Sequence, residues 1–208
     1  AGNTIIQTNA VTELLELVTA AGKAYRVTGF TFEHTLTPDS NQRMVAVRGN
    51  TSEFRIPNNT FLHTHASSRL AIAVTGATDG FARGVIDSNT FTVNGASAQS
   101  GQITVDHRQW NNIGNFGDAS WNDDRLWGTA SAVYIENNTW NGTIPEKPLD
   151  GENGGRVVFR FNTFTEGVAS HGTETGQRSR SLRAMEVYGN TGDCNSAVFH
   201  QLRGGTAI

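Results

Sequence analysis

One short phrase recurs along the chain and constrains its fold more than any other feature. It reads RIPNNTF at 55–61, VIDSNTF at 85–91, YIENNTW at 134–140, VFRFNTF at 158–164 and EVYGNTG at 186–192. The shared asparagine falls at Asn59, Asn89, Asn138, Asn162 and Asn190, giving steps of 30, 49, 24 and 28 residues. Three of the four steps match one turn of a solenoid. The long step contains an insertion at residues 107–129, rich in Trp, Asn, Asp and Gly.

Side chains alternate along a strand, which gives the phrase a geometry. Its second residue (Ile56, Ile86, Ile135, Phe159, Val187) is expected to point inward and its first and third outward. The asparagine tolerates the left-handed backbone of a sharp turn, and stacked coils would set the five amides in a ladder. The Thr and aromatic that follow would enter the next face, with Phe61, Phe91, Trp140 and Phe164 stacked inside. Further strands are expected at 44–47, 70–74, 102–105 and 197–202, as a coil with several faces requires. The expected fold is an all-β, single-stranded right-handed parallel β-helix filling 1–208 as one domain. An antiparallel sandwich also has many short strands, but does not predict one phrase repeated at coil spacing. Residues 11–21 (VTELLELVTAA) read either as a short N-terminal capping helix or as a strand of an irregular first coil. As a helix, it would turn Leu14, Leu15, Leu17 and Val18 toward the core.

Composition narrows the function. Charged residues are 17% of the 208 and the net charge is −3, without the basic excess a phosphate-binding surface carries, so no nucleic-acid partner is expected. The single cysteine, Cys194, allows no internal disulfide. No apolar run is long enough to span a bilayer, and the first residues lack the pattern of a secretory signal. The final RGGTAI ends on a strand-like run, which reads as a chain continuing into a larger assembly or pairing as a homo-oligomer.

The stretches FRIPNNTF, GVIDSNTFT, WGTASAVYIENNTW, GGRVVFRFNTF and SHGTETGQRSRSLRAMEVYGNT resemble the pectin-lyase-like right-handed parallel β-helix superfamily, above all bacterial and phage-associated β-helix repeat proteins. The resemblance covers most of the chain from Tyr25 onward. It implies an extracellular, cell-surface or virion setting and a polysaccharide partner, met by lyases, hydrolases, tailspike depolymerases or non-catalytic adhesins. The sequence carries neither the polygalacturonase nor the calcium pectate lyase residue pattern, so no catalytic residue is carried over from them.

The register itself nominates a surface. The third-residue column reads Pro57, Asp87, Glu136, Arg160, Tyr188, and the first-residue column Arg55, Val85, Tyr134, Val158, Glu186. Asp87 and Glu136 would be next-coil neighbours, and paired carboxylates are what glycoside hydrolysis needs. Lyase chemistry would instead set a base beside a cation such as Arg160. Asp87, Glu136, Arg160 and Glu186 are therefore the candidate catalytic residues, with Tyr134 and Tyr188 beside them. The plain alternative is a solvated face with a cross-strand Glu136–Arg160 pair.

Trp110, Trp121 and Trp127 of the insertion would stack on sugar rings or form a small core under their own loop. His171, Arg178, Arg180 and Arg183 would bind acidic sugars or hold a long turn together. No cofactor is expected. Asp118, Asp123 and Asp124 offer Ca²⁺ the right atoms without a recognised spacing, and His63 and His65 lack a third metal ligand. The functional expectation is a β-helix that binds, and cleaves if the carboxylates are catalytic, a polysaccharide. The alternative is a non-catalytic structural or adhesin segment of a surface or phage fibre.

Overall fold

The computed structural model describes residues 4–8, 13–34, 42–64, 69–76, 82–94, 102–106, 125–142, 147–165, 167–170, 181–192, 199–202 and 207–208. These residues are all-β, with 18 strands and no helix among them. The strands form three parallel sheets, and as far as Arg156–Arg160 the chain visits them in a fixed rotation, so each turn of the rotation is one coil of a parallel β-solenoid; in the last coils isolated bridges at Thr163 and Thr191 take the place of a strand in one sheet.

The recurring phrase builds one sheet from Ala24–Arg26, Glu53–Pro57, Gly84–Asp87, Val133–Glu136, Arg156–Arg160 and Ala184–Tyr188, here termed the phrase sheet. The residues after the asparagine build the aromatic sheet: Thr4–Thr8, Phe30–His34, Thr60–His63, Thr90–Val93 and Thr139–Gly142. The closing sheet has seven strands, from Leu15–Thr19 and Gln42–Gly49 to Phe199–Leu202.

The expected register holds. Ile56 pairs Ile86, Ile86 pairs Ile135, Ile135 pairs Phe159 and Phe159 pairs Val187. The first four are fully buried and Val187 is half-buried. Phe32, Phe61, Phe91 and Trp140 stack with centroids 5.2, 4.9 and 4.5 Å apart and ring planes 18°, 11° and 10° from parallel. Phe164 departs from that stack and meets Phe159 edge-on at 5.2 Å.

The asparagine ladder is continuous. Each Oδ1 accepts both the backbone N–H and the Nδ2 of the preceding coil's asparagine, at 2.9 and 3.2 Å from Asn59 to Asn89 and 2.9 and 3.0 Å from Asn89 to Asn138. Asn162 and Asn190 extend it. The ladder's first acceptor, Asn59, receives the N–H of Phe30, which holds the asparagine's place in the first coil.

Two expectations are corrected. The left-handed residue is the one before the ladder asparagine: Gly29, Asn58, Ser88, Asn137, Phe161 and Gly189, with φ from 55° to 79°. The ladder asparagine must aim its amide along the solenoid axis, so its predecessor absorbs the turn. The segment at 11–21 forms no helix where it is described. Leu15–Thr19 is a strand of the closing sheet, because LELVT alternates with period two, and Val18 is 73% exposed instead of core-facing.

Candidate functional site

The outer face of the phrase sheet carries the columns expected from the register. Asp87 pairs Glu136, Glu136 pairs Arg160, and Arg160 pairs Tyr188 across adjacent strands. The charges sort themselves into pairs across this face. Asp87 is bound by the fork of Arg55, with Nε and Nη2 at 3.0 and 2.9 Å from its two oxygens, and this contact buries the carboxylate. Glu136 accepts from Arg160 Nε at 2.7 Å and Nη2 at 2.6 Å. The adjacent carboxylates thus each face a guanidinium, and the Asp87 bond raises the pKa of Arg55 above its ordinary value. That leaves less freedom for an acid–base dyad than bare adjacency suggests.

Arg160 is the hub of the C-terminal half of this face. Its Nη1 donates to the Tyr188 hydroxyl at 2.9 Å, the contact that most raises its pKa, with Glu136 adding in the same direction. Its guanidinium carbon lies 4.9 Å from the ring centre of Tyr134, 5.4 Å from Phe161 and 6.0 Å from Tyr188. Phe161 and Tyr188 meet edge to face at 5.9 Å. Phe161 is 50% exposed and Tyr188 42%. A guanidinium fixed among three aromatic rings presents flat apolar faces beside hydrogen-bond donors, the mixture that sugar rings complement.

The end of the insertion borders this patch. Gly128 donates its N–H to Glu186 Oε1 at 2.9 Å, and the Tyr134 hydroxyl donates to the Thr129 carbonyl at 2.7 Å. Glu186 is thereby a loop anchor. Val158, between Tyr134 and Glu186 in the same column, is buried although it points outward. Trp127 is 37% exposed, with Arg125 6.0 Å from its ring centre. Burial, reinforced by the Glu186 charge and opposed by Arg160, pushes the Tyr134 hydroxyl above its ordinary value.

Other expected site residues lie elsewhere. Arg183 is 2% exposed in the corner that leads into Ala184–Tyr188, too buried to present its guanidinium to a surface ligand. Trp110, Trp121, Asp118, Asp123, Asp124, His65, His171, Arg178 and Arg180 lie outside the described residues. His63 faces the core. Among the described residues no group of His, Cys, Asp and Glu could hold a metal ion, and no helix is long and apolar enough to cross a membrane.

The columns alone did not single out Phe161, because it occupies the turn and not the strand. A signal was present: the residue before the ladder asparagine is Asn, Ser or Gly in four coils, and one coil breaks the pattern with an aromatic. No protein-family model, curated protein or solved structure matches the chain.

Proposed function

We propose that the chain is a polysaccharide-binding β-helix, right-handed and of the pectin-lyase-like kind, exposed outside a cell or on a virion. The saccharide lies on the outer phrase sheet against Phe161, Tyr188, Arg160, Tyr134 and Trp127. The observation that carries this reading is Phe161. It is the one bulky residue at a left-handed turn position otherwise filled by Gly, Asn or Ser among the described coils. An L-residue with a large side chain is disfavoured there by about 1–2 kcal/mol, and such outliers gather at binding sites. The neighbouring coil accommodates it: Gly189, itself at φ 64°, lies under the ring, where a Cβ would come within 2.6 Å of Phe161 Cδ1.

The reading is of binding first. The guanidinium partners of Asp87 and Glu136 favour a recognition surface, and such a surface suits a fibre or adhesin as well as an enzyme. The test is affinity electrophoresis in neutral and acidic polysaccharides, run beside assays for unsaturated products and new reducing ends. Phe161→Asn is expected to weaken binding about tenfold, as loss of an exposed aromatic anchor does, while raising the melting temperature. Binding unchanged in Phe161→Asn and Arg160→Ala would remove the site. Cleavage lost in Asp87→Asn and Glu136→Gln would make it catalytic.

A further inference from the structure

The outer face of the aromatic sheet carries a second feature, independent of the saccharide site. Thr31, Thr60, Thr90, Thr139, Thr163 and Thr191 are paired coil to coil without a break. Each follows the ladder position, and the first five precede a core residue (Phe32, Phe61, Phe91, Trp140 and Phe164), so their side chains project outward, with Thr191 continuing the register. Thr31 is buried, so the accessible rank runs from Thr60 to Thr191: Thr60, Thr90 and Thr139 are half-buried, and Thr163 and Thr191 are exposed. Among the described residues none is hydrogen-bonded to these hydroxyls. One strand position further out lie Glu33, Leu62, Thr92, Asn141 and Thr165, of which only Glu33 is charged.

The fold does not require this uniformity. The outward columns of the phrase sheet change chemistry at every coil, from Arg55 to Val85, Tyr134, Val158 and Glu186. Strand propensity would accept Val, Ile or Tyr in place of Thr. A single small molecule would select one or two coils. Five accessible, identical side chains at one spacing match a ligand that itself repeats at that spacing.

This face also carries the devices that oppose twist. Parallel strands normally twist, and flat stacks are held by ladders and stacked rings. Both lie directly behind this rank: the asparagine ladder, and rings turned by only 10–18° between coils. The hydroxyls and methyls therefore recur at the strand spacing of about 4.8 Å.

We propose that the threonine rank binds the ordered water lattice of ice. Its spacing lies close to the oxygen repeat along the ice a axis. Threonine offers a hydroxyl to join the lattice and a methyl group to order water beside it. Crystalline polysaccharide is also periodic, but it is gripped by flat exposed aromatics, and none stands in this rank.

The test is adsorption of the whole chain to a slowly grown ice hemisphere, with recrystallisation inhibition and thermal hysteresis measured alongside. The chain is expected to enter the ice and slow recrystallisation. Thr139→Lys and Thr163→Lys, each setting a charged chain in the rank, are expected to raise the inhibiting concentration about tenfold or more, the effect of losing a central contact. Arg160→Ala, on the other sheet, should leave ice adsorption intact while weakening saccharide binding. Exclusion of the wild-type chain from ice, or full activity in both folded lysine variants, overturns the proposal. So does adsorption that follows Arg160 and not the threonines. Retention on crystalline cellulose or chitin without ice adsorption assigns the rank to another lattice and also overturns it.

Discussion

At the scale of single residues, close approach and protonation decide what the solenoid tolerates. Gly84 has an ordinary φ, so its role is space: an added Cβ would lie 2.1 Å from the Phe54 carbonyl oxygen and 2.6 Å from Phe54 Cγ. Neither atom can yield, because Phe54 is buried in the phrase sheet. Gly84→Ala is expected to destabilise by about 1–3 kcal/mol, the usual cost of overpacking, seen as a lower urea midpoint at unchanged m-value. Tyr134 gives a pH prediction. Its hydroxyl donates to Thr129, which a phenolate cannot do, and burial, with the Glu186 charge, raises its folded value above 10.0. The folded state then holds this proton more tightly than the unfolded chain. The contribution is present below pH 10 and is lost as pH rises through the folded value. Trp127 fluorescence should report release of its loop on that alkaline limb, and Tyr134→Phe should abolish the limb.

At the scale of strands and turns, the ladder is the cooperative unit. Asn138 accepts from Asn89 N and Nδ2 at 2.9 and 3.0 Å, and donates to the Ile86 carbonyl at 2.9 Å. Asn138→Ala leaves two donors and one carbonyl buried, each worth about 1–3 kcal/mol when unpaired. A loss of about 3 kcal/mol or more is expected, against a smaller loss for Asn190→Ala, whose site is only half-buried. Calorimetry of the two variants checks the difference. The ladder, the inward column and the outward columns were legible because one repeated phrase fixes all three. The ion pairs were legible only in part. Glu136–Arg160 is a straight cross-strand pair, but Arg55 reaches Asp87 diagonally, two positions along the next strand, and columns read straight across miss diagonals. The left-handed turn residue was misassigned by one position because Asn is common at both places, as Asn58-Asn59 and Asn137-Asn138 show. Val11–Ala21 was ambiguous because its leucines satisfy either period, and the two-residue alternation prevailed once a neighbouring strand, Gln42–Gly49, was there to pair.

For the whole molecule, the three sheets share one stack of coils, so stability is close to a sum of coil terms and coil–coil terms. Ile135 is fully buried with a paired neighbour on either side, Ile86 and Phe159. Ile135→Ala is expected to cost about 2–5 kcal/mol. Val187, at the same position of the next coil but one, is half-buried, and Val187→Ala should cost less than half as much. Hydrogen exchange distinguishes a sum of coils from a single all-or-none core. In the first case Ile135→Ala lowers protection most in its own coil and its two neighbours, and little near Phe32. Equal loss of protection from Phe32 to Phe159 would show that the ladder and ring stack bind the coils into one cooperative body. In that case both outer faces, the aromatic patch around Arg160 and the threonine rank, would stand on a frame that yields only as a whole.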